Sequence, residues 1–283
     1  MQTLVRMASR GSRQAAQAMP HGARLRGTRH GAVLVASALS LAACAHAPAN
    51  PEARAEFQRT NDPAEPTNRT VFRANQFVDR NALKPVAKGY TEYVPGRVRR
   101  SLHNFVSNLE EPGVAINDVL QGNVSRAWNT TQRFAVNTTL GGAGLFDVAT
   151  DWHRPRHDAD FGQTLGVWGV GPGPAVQLPL FGPSNVRDTV GKVGGLVTNP
   201  LTFVTGGAAT AVNAASGGIG VVDGRSRLIP VTDDLERSSL DYYATLRSVA
   251  AQRRAKLIAE ARVGAVTEEK ELPDLDPSGV SAK

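Results

Sequence analysis

The sequence has a single cysteine, Cys44, among its 283 residues, and aromatic residues make up only 6% of the chain. One thiol excludes an internal disulfide bond, a Cys-x-x-Cys redox pair and a cysteine-based zinc site. The chain also lacks a G-x-S-x-G elbow, a complete P-loop and a complete dinucleotide-binding fingerprint. These absences argue against the hydrolases and nucleotide-binding enzymes that such motifs mark.

Positive charge is scarce outside the N-terminal segment, although the net charge of the whole chain is +7. Residues 1–43 contain six arginines and no acidic residue, and the rest of the chain has 26 basic and 25 acidic residues. A nearly neutral body offers no basic surface to a phosphate backbone. We therefore predict no nucleic-acid partner.

The N-terminal 43 residues have the organisation of a signal peptide. The arginines precede a mostly apolar, uncharged run over residues 31–43, which is too short to cross a bilayer. The segment Leu41–Cys44 resembles a bacterial lipobox, in which the chain is cut before the cysteine and the cysteine is acylated. The alternative is an ordinary cleavage site around Cys44 that leaves a free thiol. We predict a lipoprotein signal peptide over 1–43.

The predicted lipid anchor is Cys44, followed by a tether over residues 44–60 that has no sustained periodicity. Several acyl chains hold a protein on a membrane essentially permanently. Ala45 follows the cysteine where an aspartate would favour retention at the inner membrane. We therefore expect the protein to be anchored at the periplasmic face of the outer membrane.

Helical periodicity dominates the rest of the chain, whereas strand-like alternation is scarce. Apolar residues recur at helical spacing over 98–109 and predict a helix that closes at Pro112-Gly113. A second short helix is predicted over 114–120, and a third over 124–138 with Asn123 as its N-cap.

The C-terminal run from Asp233 to Arg262 is rich in helix-forming residues and predicts one long helix. The predicted domain, mainly α, spans residues 61–262. The acidic, proline-containing segment 263–283 is expected to be a disordered tail.

Two long stretches carry no charge at all, namely residues 161–186 and residues 193–222. Both contain several glycines, the second including Gly206-Gly207 and Gly217-Gly218, so neither is expected to form a straight spanning helix. One interpretation is short helices and turns at membrane depth. The other is the buried core of a soluble domain, which a single such stretch would favour. Two such stretches on one lipid-anchored chain favour the membrane.

The densest polar cluster is the segment His153–Asp160, which contains two histidines and two aspartates. Pro155 prevents the regular helical spacing that paired metal ligands often use, so a solvated loop is the preferred interpretation and no metal site is predicted. The pair Glu110-Glu111 could imitate an acid/base pair, but adjacent residues on a helix diverge and a helix end is preferred.

Residues 61–200 contain many short blocks in a fixed order, among them Asp62–Arg69, Asn104–Pro112, Arg133–Gly141 and Asp160–Gly166. In these blocks the chain resembles the MlaA (VacJ) family of outer-membrane lipoproteins. The predicted family-motif residues are Asp62, Pro63, Glu65, Asn68, Arg69, Asn75, Asn104, Phe105, Asn108, Leu109, Pro112, Arg133, Phe134, Asn137, Thr138, Phe161, Gly162, Gly173, Pro179, Gly182, Arg187 and Asp188.

The resemblance implies a ring of amphipathic helices lying in a membrane leaflet around a central amphipathic channel. Family members remove misplaced phospholipid from the outer leaflet and pass it to a periplasmic lipid carrier protein, which maintains outer-membrane lipid asymmetry. They also associate with trimeric outer-membrane porins. The resemblance implies no enzyme activity, cofactor or metal. One alternative is a structural lipoprotein that scaffolds porins without transporting lipid. The other is a lipid hydrolase that uses the His153–Asp160 cluster, but it would need a nucleophile that the sequence does not reveal.

Overall fold

The computed structural model describes residues 61–204 and 206–266. The predicted signal peptide, Cys44, the tether and residues 267–283 of the predicted tail lie outside the described residues.

The described residues form a mainly α structure with one small antiparallel sheet. The helices are α1 (Glu65–Val78), α2 (Lys84–Tyr93), α3 (Gly96–Leu120), α4 (Val124–Thr139), α5 (Val148–Asp151), α6 (Phe161–Val167), α7 (Val186–Thr198), α8 (Gly207–Ser238) and α9 (Tyr242–Arg262). A π-helical segment, Asp79–Leu83, joins α1 to α2, and a 3₁₀ helix, Pro200–Phe203, follows α7. Strands β1 (Ala175–Leu178) and β2 (Gly182–Asn185) pair with Ala175 opposite Asn185.

Short polar side chains begin four of the helices. Asp147, Asp160, Asn185 and Asp241 each accept a hydrogen bond from a backbone N–H in the first turn of α5, α6, α7 and α9. Each cap satisfies a donor that the helix itself leaves without a partner. The sequence therefore determines where these helices start.

Helix α3 corrects the prediction that a helix closes at Pro112 and a second one follows. It is one continuous helix with Pro112 in its interior. An interior proline costs about 3 kcal/mol because it removes a backbone hydrogen bond and crowds the preceding turn. Polar contacts to α4 from Asn108 and Glu111 offset this cost. Glu110 and Glu111 consequently lie within α3 and not at a helix end.

The predicted third helix is confirmed as α4, which has Asn123 at its N-cap position. The Asn123 side chain makes no capping bond; its Nδ2 donates to the carbonyl of Ala261 at 2.6 Å. The predicted single C-terminal helix is wrong, because α8 ends at Ser238 and Asp241 begins α9.

The two uncharged stretches form several elements. The first contains α6, both strands and the start of α7, and the second contains the end of α7, the 3₁₀ helix and the first half of α8. Gly206 has a φ of 134°, as a turn glycine requires, but Gly217 and Gly218 lie inside α8 and do not break it. Among the described helices, none is both long and apolar enough to cross a membrane.

In the described residues many polar side chains are buried and many large apolar side chains are exposed, which is the reverse of a water-soluble protein. Helix α4 buries Arg126, Asn129 and Arg133, whereas Val124 and Trp128 on its apolar face are 76% and 62% exposed. Across the described residues 22 buried side chains are polar or charged, against eight that are apolar or aromatic. Large apolar residues cover much of the outside, so the core is held by hydrogen bonds and ion pairs more than by packed hydrocarbon.

Candidate functional site

Arg133 of α4 lies at the centre of a buried network that joins α3, α4 and the start of α5. Its guanidinium donates to Glu111 at 3.0 Å and to Asp147 at 2.9 Å. It also donates to the hydroxyl of Thr150 and the carbonyl of Arg154. Burial alone would raise the pKa of Asp147, but the hydrogen bond from Thr150 and the Arg133 charge hold it below its usual value.

Two motif asparagines extend this network. Asn137 donates to Oδ1 of Asp147 at 2.9 Å and accepts from the backbone N–H of Ala149 at 2.9 Å. Asn108 of α3 donates to the hydroxyl of Thr138 at 3.0 Å. The structure thus brings Asn108, Arg133, Asn137 and Thr138 together, and they fix α3 against α4.

A second buried network surrounds Asp118 of α3. His157 Nε2 lies 2.8 Å from Oδ2 of Asp118, Arg126 Nε lies 3.2 Å from Oδ1, and the Thr130 hydroxyl donates to Oδ2 at 2.9 Å. The His153–Asp160 segment is irregular, as predicted, but His157 is buried and not solvated. His153 is exposed, and in the described residues no group of three or more His, Cys, Asp or Glu is placed to hold a metal ion.

The motif asparagines of α1 hold the β-hairpin. Asn68 donates to Asp62 at 2.7 Å and accepts from the backbone N–H of Gln177 at 2.9 Å. Asn75, two turns further along α1, donates to the carbonyl of Leu178 at 2.8 Å. Residues i and i+7 share one helix face, so α1 binds β1 along its length.

The same end of α1 is joined to α9. Asp62 accepts from the Tyr243 hydroxyl at 2.5 Å and also pairs with Arg247. Arg69 pairs with Glu65 at 2.7 Å and with Asp241, the N-cap residue of α9. These contacts bring the first and last parts of the described chain together.

Arg254 of α9 connects the remaining charged motif residues. It contacts Asp160 at 2.7 Å and Asp188 at 2.9 Å, and Asp188 also pairs with Arg187 at 2.9 Å. Gly162 permits this arrangement, because a Cβ there would lie 2.8 Å from Arg254 and 2.9 Å from Asp188. Asp160 and Arg187, the charged residues at the two ends of the first uncharged stretch, therefore belong to one network.

A cavity of about 820 Å³ lies between α3, α8 and the segments that follow α5 and α7. Polar lining residues include His103, Ser107, Glu110, Arg156, Ser216 and Asp223. Apolar lining residues include Val106, Leu109, Val204 and Val221. The cavity is therefore amphipathic, and residues of the second uncharged stretch form part of its wall.

Asp223 is the charged residue that α8 contributes to the cavity wall. Its carboxylate lies 2.8 Å from His103 Nδ1, 3.0 Å from Arg227 Nε and 3.3 Å from the Tyr90 hydroxyl. Burial alone would raise the pKa of Asp223, but the His103 contact and the Arg227 charge hold it below its usual value. Asp223 is thus ionised and fully engaged, and it orients the His103 ring.

The sequence model of the MlaA lipoprotein family matches residues 60–257 of the chain. The chain belongs to the MlaA lipoprotein family. Among its relatives, an uncharacterized protein of Rickettsia felis is 36% identical over 194 residues, covering 68% of this chain and 76% of the relative. The intermembrane phospholipid transport system lipoprotein MlaA of Shigella flexneri is 36% identical over 206 residues, covering 69% and 78%.

A solved structure described as the structural basis for maintenance of bacterial outer membrane lipid asymmetry is similar in fold as well. Its TM-score is 0.62 at 35% sequence identity, covering 70% of this chain and 98% of that chain.

The other predicted MlaA-family motif residues lie outside the polar networks. Leu109 lines the cavity, Pro112 lies inside α3, and Asn104 makes a long contact of 3.4 Å to the carbonyl of Leu145. Gly173 and Gly182 have positive φ values of 66° and 78° beside the hairpin. Five further motif residues are half-buried or exposed and take no part in these networks: Pro63, Phe105, Phe134, Phe161 and Pro179.

Sequence reasoning missed the cavity residues His103 and Asp223 and the buried pair of Asp118 with Arg126. One usable pattern was present: Asp223 is the first charge after the second uncharged stretch, and Arg227 follows it one helical turn later. Charges that end a long uncharged run mark a boundary between two environments.

Proposed function

We propose that this protein is an outer-membrane lipoprotein that removes misplaced phospholipid from the outer leaflet and passes it to a periplasmic carrier. The observation that carries this proposal is the amphipathic cavity inside a helical body whose exposed side chains are largely apolar. Membership of the MlaA lipoprotein family and similarity to the Shigella flexneri transport lipoprotein support it.

The cavity meets both solvation requirements of a phospholipid. A charged head must stay out of hydrocarbon, and acyl chains must stay out of water. His103, Glu110 and Arg156 provide a polar wall, while Val106 and Leu109 provide an apolar one. A lipid can move through such a passage without burying its head in an apolar medium.

The inverted burial supports a position within a membrane leaflet. In water, exposed residues such as Phe77, Trp128 and Leu180, which are 70%, 62% and 75% exposed, would lose the gain from burying apolar surface. In a leaflet they contact acyl chains, and the helices form a ring around the channel. Acylation of Cys44 after removal of residues 1–43 anchors the chain at the periplasmic face of the outer membrane.

We assign the charged and amide motif residues to the frame of the ring. Asn68, Asn108, Arg133 and Asp188 each join two or more elements through buried contacts. The transfer itself makes and breaks no covalent bond, so the protein acts as a passage and not as an enzyme. Direction then comes from differences in lipid affinity along the route.

Two partners follow from the family resemblance. A trimeric outer-membrane porin holds the ring in the bilayer, and a soluble periplasmic carrier receives the lipid. Purification of the detergent-extracted full-length protein should recover a porin trimer in stoichiometric amount. Recovery of the lipoprotein without any porin would contradict the first partner.

Blocking the cavity tests the transport function directly. Ser216→Trp places a large side chain in the wall, whereas Val212→Trp adds the same ring to α8 at an exposed position outside the lining. The readouts are phospholipid copurified with the protein and restored resistance to detergent and chelator in a strain that lacks its own homologue.

We expect Ser216→Trp to lose both readouts at normal abundance and Val212→Trp to keep them. If Ser216→Trp loses bound lipid but restores resistance fully, the scaffolding alternative is correct.

A further inference from the structure

We propose that the cavity favours phospholipids with an ethanolamine-type headgroup, with Arg156 and His103 receiving the phosphate and Glu110 receiving the ammonium. This inference rests on the proposed function and names the substrate class of the same cavity. It follows from three observations: how Arg156 is held, how His103 is oriented, and how loosely Arg156 is paired with Glu110.

Arg156 is fixed in the cavity wall by contacts that use only some of its guanidinium N–H donors. It donates to the Ser107 hydroxyl, and its Nη2 lies 3.6 Å from Oε2 of Glu110, too far for a good hydrogen bond. Its side chain is 26% exposed. A guanidinium has five N–H donors in a planar fork that matches a phosphate, so most of them are available to a ligand.

His103 provides a second phosphate contact close to the first. Its Nδ1 donates to Asp223 at 2.8 Å, and Nε2, the other ring nitrogen, donates to a phosphate oxygen when the ring is in its imidazolium form. His103 precedes Ser107 by four residues on α3, a rise of about 6 Å. Ser107 binds Arg156, and His103 and Arg156 both line the cavity, so we place the phosphate between the His103 ring and the guanidinium.

Glu110 completes the headgroup site on the same face of α3. Its side chain is 60% exposed and engages Arg156 only through the loose 3.6 Å contact. Burial raises the pKa of Glu110 above its ordinary value, and the Arg156 charge opposes this. An ammonium group beside Glu110 favours the ionised form, whose two oxygens accept hydrogen bonds.

The Arg156–Glu110 pair favours a headgroup that carries both a phosphate and an ammonium. Asp223 is already paired with Arg227 and His103, whereas Arg156 and Glu110 face each other across a loose contact and carry one charge of each sign. A zwitterionic headgroup gives each of its two charges an opposite partner. An anionic glycerol-type headgroup would bring its phosphate to Arg156 but leave Glu110 without an ammonium partner, at an electrostatic cost.

The test measures headgroup selection by the full-length protein in detergent. The protein is equilibrated with micelles that contain equal amounts of ethanolamine and glycerol phospholipids of identical chains, and bound lipid is quantified by mass spectrometry. We expect about tenfold enrichment of the ethanolamine lipid, equivalent to about 1.4 kcal/mol. Glu110→Gln should bring the ratio close to one while total bound phospholipid is retained.

Matched variants separate headgroup recognition from changes in charge or folding. Arg156→Gln and His103→Gln should lower binding of both lipids, whereas Arg154→Gln and Glu92→Gln, exposed positions outside the lining, should match the wild type. An N-acetylated ethanolamine lipid, which lacks the ammonium, should bind wild-type protein as weakly as the glycerol lipid does.

Equal binding of the three lipids by wild-type protein would overturn this inference while leaving lipid transport standing. Persistent ethanolamine enrichment in Glu110→Gln would also overturn it. Absence of any bound phospholipid would instead contradict the proposed function itself.

Discussion

Arg133 of α4 and Glu111 of α3 form a buried ion pair with an Nε–Oε1 distance of 3.0 Å, and both side chains are less than 5% exposed. Glu111 directly precedes Pro112, the residue at which α3 would be expected to break. The ion pair therefore acts at the weakest point of the helix. The same guanidinium also pairs with the half-buried Asp147, so its removal leaves the buried Glu111 and Asp147 without their cation.

We expect Arg133→Met to lower the free energy of unfolding by about 3–5 kcal/mol, because uncompensated buried charges are costly. Glu110→Gln, one residue away on the exposed side of α3, should change it by less than about 1 kcal/mol. Chemical denaturation in detergent, followed by circular dichroism, measures both. Equal effects of the two substitutions would contradict a structural role for this ion pair.

The helical period of α3 and α4 was predictable from the sequence, but the face they bury was not. Periodicity places Val124 and Trp128 on one side of α4 without stating whether that side meets a protein core or a lipid. The break at Ser239–Asp241 depends on the Asp241 cap and its pairing with Arg69, 172 positions away. Asp160, Asp188 and Arg254 likewise come together only through the fold.

Asp188 should make stability depend on pH. Burial alone would raise its pKa, but hydrogen bonds from Arg187 and Arg254 lower it below the usual value. A carboxyl group whose pKa is lower in the folded than in the unfolded protein stabilises the fold at pH values above its unfolded-state pKa, about 3.9 for aspartate. This stabilisation is lost as the pH falls through the folded-state pKa.

The difference in unfolding free energy between wild type and Asp188→Asn should therefore be constant near neutral pH and shrink below about pH 4. Denaturation curves at several pH values give this difference directly. A difference that grows on acidification would contradict the assigned direction of the pKa shift.

Gly191 of α7 is expected to tolerate no side chain. A Cβ there would lie 2.3 Å from the Cα of Gly162 on α6, a backbone contact that cannot yield without moving a helix. Gly191→Ala should therefore destabilise the protein by about 1–3 kcal/mol through overpacking.

Gly218 provides the matched control for Gly191. It lies inside α8, and a Cβ there would meet no atom within 4 Å. Gly218→Ala should raise the unfolding free energy by up to about 1 kcal/mol, because alanine favours a helix. If both alanine variants unfold at the same denaturant concentration as the wild type, the close α6–α7 crossing is incorrect.

Cys44 is the predicted acylation site, so Cys44→Ala should leave the protein unprocessed or mislocalised. Mass spectrometry of the mature wild-type N-terminus should show an acylated cysteine at the first position, and fractionation should place the protein in the outer membrane. Cleavage at another position, or an unmodified thiol, would contradict lipid anchoring through Cys44.

The contrast between an apolar outside and an amphipathic cavity can be tested with one added charge. Trp128→Asp puts a carboxylate on the exposed apolar face of α4, and Ser216→Asp puts one in the cavity wall. A charge facing hydrocarbon at membrane depth costs about 2.5–3.5 kcal/mol, whereas one that faces a hydrated passage costs far less. We therefore expect Trp128→Asp to reduce the amount of protein in the membrane fraction.

Ser216→Asp should leave the abundance unchanged and reduce phospholipid transfer, because the added anion repels the lipid phosphate. Quantitative immunoblots of membrane fractions and transfer of labelled phospholipid to acceptor vesicles measure the two effects separately. In a water-facing protein Trp128→Asp would be harmless, since an exposed carboxylate is fully hydrated. Normal abundance of Trp128→Asp, together with protein that stays monodisperse without detergent, would exclude the leaflet position and leave the cavity to be explained in a protein surrounded by water.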